Sequence, residues 1–237
     1  MKTRYGLASL LATMLLALGT TAAAQDSNIT QPIADLEKLL AAEPLVITQA
    51  EISRPKAKGD ITLKADVSFG GAPPLRVKLR KAEPGAEAFN NVPRYDLAAY
   101  ELQKLFIDPA EYVVPPTALR FIPRAEFAKY QSDVERTFSS AEQVLAVLQY
   151  WLSDIAVIAD VYNPTRFAAD PLYARHIGQL NVLTYLIAHR DSNAGNFLIG
   201  KTPTGARVFS IDHGVALASE DRDRGEAWKV MRVDRLP

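Results

Sequence analysis

The chain contains no cysteine, and neither sign of charge is in excess. The absence of cysteine excludes thiol catalysis, disulfide bonds, cysteine-ligated zinc and a lipoprotein anchor. Lysine plus arginine and aspartate plus glutamate each number 27, so no basic excess attracts nucleic acid or an anionic membrane. The 237 residues, 48% hydrophobic and 23% charged, are typical of one large globular domain or of two small lobes that share a cleft.

The first 24 residues have the composition of an export signal. Lys2 and Arg4 give a positive start, residues 7–18 are mostly apolar, and the alanines at 22–24 offer a cleavage site before Gln25. An uncleaved membrane anchor is the alternative, but the apolar stretch is short for a span and includes polar residues. The sequence therefore predicts an exported protein, periplasmic or secreted, that keeps no stable membrane span after cleavage.

The spacing of apolar residues predicts the elements that follow the signal. Their order is a helix over 32–42, three antiparallel strands between 45 and 81, a helix over 93–106, short strands at 113–114 and 118–122, helices over 140–158 and 173–188, and a ribbon with arms 197–200 and 207–210. The helix from Ser140 has Gln143 in the capping-box position. The order predicts an α+β fold with two lobes, an N-terminal antiparallel sheet plus helix over residues 25–122 and a helical C-terminal lobe over 123–237.

The motif with the clearest chemistry lies in residues 189–199, which read H-R-D-x-x-x-x-N and then an apolar strand, with D-x-G at 212–214. Phosphoryl transfer needs one carboxylate near the acceptor hydroxyl and two oxygen ligands for the metal ion on the nucleotide. Asp191 is the candidate catalytic carboxylate, and Asn196 and Asp212 are the candidate ligands of Mg²⁺ or Mn²⁺. Alone, each of these residues would be an ordinary turn residue. Their joint occurrence in this order indicates a kinase-type site.

The strands supply candidates for binding the phosphates of the nucleotide. Lys78 is preferred over Lys81, because side-chain alternation along the third strand turns Lys81 to the apolar face. Two carboxylates of the next helix could pair with the lysine, Asp96 and Glu101, but they point about 140° apart and only one can face the cleft. Gly59, in the first hairpin turn, is the candidate glycine over the phosphates, although no G-x-G-x-x-G pattern surrounds it.

With these residues the chain resembles the kinase-like superfamily, in an atypical branch similar to the secretory-pathway (Golgi casein kinase) family and the phosphatidylinositol 4-kinase type. The similarity lies in the helix sequence at 95–106 and the V-P-P segment that follows it. The resemblance implies a two-lobed protein-kinase-like fold. It also implies that Lys78 is the strand lysine and that Asp96 stands where the family has the glutamate that pairs with it. Only 23 residues follow Gly214 (237 minus 214), which predicts a shortened C-terminal lobe.

The predicted function is that of an exported kinase-like phosphotransferase, which moves the γ-phosphoryl group of ATP to a hydroxyl acceptor on a protein or lipid. A small-molecule kinase of the antibiotic-phosphotransferase type is an alternative, since such enzymes also use a His-x-Asp loop that ends in Asn. A non-catalytic kinase-like binding module is the other alternative. The weak glycine turn and the short C-terminal lobe favour the module, whereas Asp191, Asn196 and Asp212 retain every group that the chemistry needs.

Overall fold

The computed structural model describes residues 28–53, 62–86, 92–157, 162–189, 191, 194–201 and 207–217. These residues form two antiparallel sheets and several helices, which confirms the predicted α+β class. The elements are, in chain order, α1 (Ile33–Ala41), β1 (Leu45–Ile52), β2 (Thr62–Phe69), β3 (Leu75–Lys81), α2 (Pro93–Gln103), β4 (Thr117–Pro123), α3 (Arg124–Phe127), β5 (Gln143–Tyr150), β6 (Ile155–Val157), α4 (Pro164–Ala169), α5 (Pro171–Leu186), β7 (Phe197–Gly200) and β8 (Val208–Ser210). The expected signal peptide and Gly59 lie outside the described residues. None of the helices in these ranges is long and apolar enough to cross a bilayer.

The larger sheet has five strands in the order β1-β2-β3-β5-β4, with antiparallel neighbours throughout. Alternate residues of β2 are buried, as the alternation of apolar and polar side chains predicts. Its apolar face carries Leu63, Val67, Val77 and Leu79, which belong to one buried cluster together with Leu36 of α1. The opposite face is rich in charged side chains, and part of it forms the site described below.

Strand β5 replaces the helix that the sequence predicts over 140–158, and this prediction is wrong. The segment pairs with β3 on one side and with β4 on the other. Residues Val144 and Ala146 to Tyr150 are all buried, so the side chains show no alternation of apolar and polar residues. A central strand that is covered on both faces therefore has the same continuous apolar run as a buried helix. The five-stranded sheet extends across residue 122 as far as Tyr150.

The smaller sheet follows the linker 151–154 and has the order β6-β7-β8. Its β7–β8 ribbon pairs Phe197 with Ser210 and Ile199 with Val208, which confirms the two arms predicted from the sequence. Helix α5 confirms the helix predicted at 173–188 and packs against β8. By contrast, Val113 and Val114 form a bend rather than the predicted strand.

Candidate functional site

Two cations of β3 lie side by side on the charged face of the five-stranded sheet. Lys78 and Arg80 are two residues apart, so their side chains share one face, while Val77 and Leu79 point into the opposite apolar cluster. Both cations are buried, with 8% and 4% of their surface exposed. Lys81 lies outside this pair and forms an ion pair with Glu83 at 3.4 Å. Lys78, and not Lys81, is therefore the lysine of β3 that lies beside Arg80 on the charged face.

Helix α2 places Asp96 over this face, where the carboxylate is fully buried. Arg80 donates from Nη2 to Asp96 Oδ2, and the backbone N–H of His213 donates to Asp96 Oδ1 at 3.1 Å. The expected Lys78–Asp96 pair is therefore wrong in its cation, because the shorter aspartate is met by the longer arginine. Glu101 pairs with Lys104 at 2.8 Å on the outside of the helix, so Asp96 is the carboxylate that faces the site.

Lys78 instead forms an ion pair with Asp212, which follows β8. This contact joins the five-stranded sheet to the β7–β8 ribbon across 134 residues of sequence. Arg80 Nη1 lies 3.9 Å from the same Asp212 Oδ1. Two cations of β3 and two carboxylates, one from α2 and one from the end of the ribbon, thus form one compact charge cluster.

The loop before β7 brings the other candidate residues to the same end of the ribbon. The side-chain Nδ2 of Asn196 donates to the carbonyl of Asp191 at 2.6 Å, and Ile211 N–H donates to the carbonyl of Asn196 at 3.0 Å. Because Ile211 directly precedes Asp212, the second bond brings Asp212 close to Asn196. Because Nδ2 of Asn196 donates to the loop, the amide oxygen faces away from the Asp191 carbonyl.

Asp212 adopts a left-handed backbone conformation, with φ of 62°. This region costs most non-glycine residues free energy, although aspartate tolerates it better than others do. Backbone strain of this kind persists where surrounding contacts hold it in place, and such positions are concentrated at functional sites. At Asp212 the surrounding contacts include the ion pair with Lys78 and the bond from the adjacent His213 N–H to Asp96.

Two buried histidines pack behind the charge cluster. The rings of His189 and His213 lie 4.9 Å apart, and His189 also packs against Phe197. His213 Nε2 lies 2.8 Å from Ser210 Oγ. Burial lowers the pKa of His189, and burial together with nearby positive groups lowers that of His213 well below its usual value. Both imidazoles are therefore neutral packing groups near pH 7.

The donor set suits a hard cation that also binds phosphate. Asn196 and Asp212 offer amide and carboxylate oxygens, which Mg²⁺ and Mn²⁺ prefer. Among the described residues no group of three or more His, Asp and Glu side chains is arranged to hold a metal. A cation at Asn196 and Asp212 would therefore need further oxygens from a bound phosphate, which is the usual arrangement for Mg²⁺ with nucleotides.

A cavity of about 730 Å³ lies beside the linker. It is lined by Asp66 and Arg76 of the charged sheet face and by Trp151, Ser153 and Asp154 of the linker. Its volume is in the range of small-molecule sites. Since Arg76 lies two residues from Lys78 on the same strand face, the cavity and the charge cluster lie along one side of the sheet.

Arg80 is the site residue that the sequence interpretation missed. Arg76, Lys78 and Arg80 alternate with apolar residues along one strand, and this pattern places all three on one face. The pattern was therefore visible, but it does not show which cation lies opposite the helix carboxylate. That choice depends on the distance between α2 and β3.

No family model matches the chain, and no curated protein matches it significantly. The geometry of the described residues therefore carries the functional argument alone.

Proposed function

We propose that the protein is a nucleotide-dependent phosphotransferase with a two-lobed, kinase-like arrangement. The observation that carries the proposal is the contact between Lys78 of the five-stranded sheet and Asp212 at the end of the ribbon. It joins the phosphate-binding candidate of one sheet to the metal-ligand candidate of the other. Asp96 and Arg80 lie directly behind it. Three of the four charged groups, Lys78, Arg80 and Asp96, are buried, and Asp212 is partly exposed. Desolvating charged groups costs several kcal/mol per ion, so a purely structural core would gain little from this cluster.

Each residue has a definite role in this proposal. Lys78 binds the nucleotide phosphates, and Arg80 and Asp96 hold the β3–α2 interface that orients it. Asn196 and Asp212 would bind Mg²⁺ or Mn²⁺, which when present would neutralise phosphate charge and help to align the γ-phosphoryl group. The cavity beside the linker would take the nucleoside of ATP.

Asp191 is the proposed catalytic carboxylate. It lies in the loop before β7, where its backbone carbonyl accepts a hydrogen bond from the Asn196 side chain. The acceptor hydroxyl gives its proton to Asp191 as its oxygen forms a bond to the γ-phosphorus. The bond from that phosphorus to the bridging oxygen breaks, and ADP leaves. Catalysis then depends on positioning and on charge neutralisation rather than on a covalent intermediate. The acceptor that we propose is a hydroxyl of a protein or lipid met after export.

A second candidate is a non-catalytic kinase-like binding module. It is favoured by the same Lys78–Asp212 ion pair, because that contact engages both the phosphate-binding amine and the metal-binding carboxylate. In such a module the pair would persist when ligand is present. In an enzyme, phosphate and metal compete for the two groups, so the pair must open.

Binding and turnover of the exported chain separate these functions. Calorimetry with ATP should show binding that Mg²⁺ or Mn²⁺ strengthens, and both Lys78→Met and Asp212→Asn should weaken the metal-dependent binding at least tenfold, as expected for loss of a charged contact. Lys81→Met is the matched control, because it removes a lysine of the same strand that pairs with Glu83 away from the cluster.

The role of Asp191 needs a separate measurement. Asp191→Asn should bind ATP like the parent but transfer no phosphoryl group, since the carboxylate acts in the transition state. Metal-dependent binding without any ATP hydrolysis or transfer by the parent would support the module. If the parent does not bind ATP with either metal, the phosphotransferase proposal is wrong.

A further inference from the structure

Gln103, near the end of α2, is fully buried and forms three hydrogen bonds to one backbone segment. Its Oε1 accepts from the N–H groups of Val113 and Val114, both at 2.9 Å, and its Nε2 donates to the carbonyl of Val114 at 2.9 Å. One carboxamide thus satisfies three backbone groups of a bend that is not itself part of a strand. Buried backbone groups without a partner are costly, so this side chain fixes the bend against α2.

The same bend is attached to the ribbon that carries Asp212. The carbonyl of Val113 accepts from Ser210 N–H at 2.7 Å. Arg207 donates to the carbonyls of Ala110 and Tyr112, both at 2.8 Å. The segment 110–114 therefore bonds to the end of α2 through Gln103, and to β8 and the residue before it through Ser210 and Arg207.

Helix α2 consequently holds the end of the ribbon at two points. Asp96 and Gln103 are seven residues apart, which places them on the same helix face to within about 20°. Asp96 accepts directly from His213 N–H, and Gln103 acts through Val113 on Ser210. Asp212 lies between these two attachment points in sequence. Its position relative to Lys78 is thus set by both ends of α2.

We infer that Gln103 is a positioning residue for Asp212, and that it controls the affinity of the site for metal-bound nucleotide without touching the ligand. The inference rests on the proposed function for its effect on binding. Its structural part, the control of the ribbon end, can be measured independently of any ligand.

Two substitutions separate the contacts of Gln103. Gln103→Met has a similar volume but removes all three hydrogen bonds. Gln103→Glu keeps an acceptor for Val113 and Val114 N–H, but its ionised carboxylate cannot donate to the Val114 carbonyl and adds a negative charge at that position. Thr137→Val is the control for a general loss of stability, because the buried Thr137 hydroxyl accepts from Leu145 N–H in the five-stranded sheet, away from the ribbon.

Amide hydrogen exchange provides the ligand-independent measurement. In Gln103→Met the N–H groups of Ser210 and His213 should exchange at least tenfold faster relative to global opening, the factor expected for about one lost hydrogen bond. Gln103→Glu should show a smaller change, and Thr137→Val should show none after correction for stability. Unchanged protection at Ser210 and His213 in both Gln103 variants would overturn the inference. If Gln103→Met does not fold, the comparison of Gln103→Glu with Thr137→Val decides.

ATP titrations with and without Mg²⁺ provide the functional measurement. Gln103→Met should lower the affinity for Mg²⁺–ATP about tenfold and leave metal-free ATP binding unchanged, because only the position of Asp212 is affected. An equal loss in both titrations would mean that Gln103 supports the fold alone, which contradicts the inference. Faster exchange at Ser210 with no ATP binding by the parent would uphold the structural coupling and reject the proposed function. Normal metal-dependent ATP binding in every variant would uphold the proposed function and reject the control of affinity by Gln103.

Discussion

Asp212 is held in a left-handed conformation by groups from two other elements. Its φ of 62° is unfavourable for a side chain with Cβ, and its carboxylate is engaged by Lys78. The residue therefore contributes to the site through its charge and costs stability through its backbone. These two effects can be separated by substitutions that both remove the carboxylate but differ in how easily the residue adopts the left-handed backbone conformation.

Asp212→Gly should be more stable than Asp212→Ala by about 1 kcal/mol, because glycine adopts the left-handed region without the steric cost of Cβ. Both variants lack the carboxylate, so the difference reports on the backbone alone. Urea unfolding of the two proteins, with equal m-values, measures it. If alanine proves as stable as glycine, residue 212 does not have the backbone conformation described above.

The buried histidines predict that stability decreases in weak acid. Burial lowers the pKa of His189 and of His213, so the unfolded chain binds more protons than the folded chain below its own histidine pKa of about 6.5. The free energy of unfolding therefore rises with pH in this range and is highest above it. As the pH falls below about 6.5, each fully shifted histidine removes up to about 1.4 kcal/mol per pH unit.

Urea unfolding between pH 7.5 and pH 5.5 measures this slope. The parent should lose stability over the interval, and His213→Leu should show a smaller slope even though its absolute stability is lower. Carboxylates contribute little at these pH values, because their unfolded pKa values are near 4. A slope that is unchanged in His213→Leu would show that His213 is not kept neutral by burial.

At the scale of elements, α2 and β3 meet through the buried pair of Asp96 and Arg80. Asp96→Ala should cost about 3–5 kcal/mol, because it leaves the Arg80 guanidinium buried without this carboxylate and removes the acceptor of His213 N–H. The double variant Arg80→Met, Asp96→Leu should lose less stability than the single variant, since the Arg80 guanidinium is no longer left buried without the Asp96 carboxylate. Chemical denaturation of the three proteins tests this.

The exposed pair of Arg76 and Asp66 on the same sheet is the matched control. Its partners lie 2.8 Å apart with 51% and 23% of their side chains exposed. Asp66→Ala should therefore cost no more than about 1 kcal/mol. Equal costs for Asp66→Ala and Asp96→Ala would show that the Asp96 pair is not buried as described.

The sequence predicts elements well where one face is buried and poorly where both are. Strand β2 and helix α2 have one solvent-facing side, so their periodicity is visible in the residues, and both predictions are confirmed. Strand β5 is covered on both faces, and the helix that the sequence predicts there is wrong. The candidate site follows the same rule. Lys78, Asp96 and Asp212 converge in the structure, but the choice of Arg80 as the partner of Asp96 depends on an interface distance that no periodicity encodes.

At the scale of the whole molecule, residues 28–30 join the two sheets on the linker side. Asn28 Nδ2 donates to the carbonyls of Ser153 and Asp154 at 2.9 and 3.0 Å, and Ser153 N–H donates to the carbonyl of Asn28 at 3.1 Å. Thr30 bonds to the hydroxyl of Tyr150 at the end of β5. The two sheets are therefore held together at the linker by these residues and at the charge cluster by Lys78 and Asp212.

The contact between Asn28 and Gly200 allows this strap of residues 28–30 to be tested. A Cβ on Gly200, at the end of β7, would lie 2.6 Å from Asn28 Oδ1, and Asn28 is fully buried. Gly200→Ala should therefore cost about 1–3 kcal/mol, the usual effect of overpacking. In an Asn28→Ala background the same substitution should cost at least about 1 kcal/mol less, because the clashing atom is gone.

A double-mutant cycle of the two substitutions, measured by urea unfolding, gives this coupling energy directly. The cycle carries its own control, since each single variant is the reference for the double variant. An additive result would mean that Asn28 does not lie on Gly200, and the two sheets would then be joined at the charge cluster and the covalent linker but not by the strap. A coupled result would show that Asn28 packs on Gly200, so that the strap holds β7 to the linker in addition to the contact between Lys78 and Asp212.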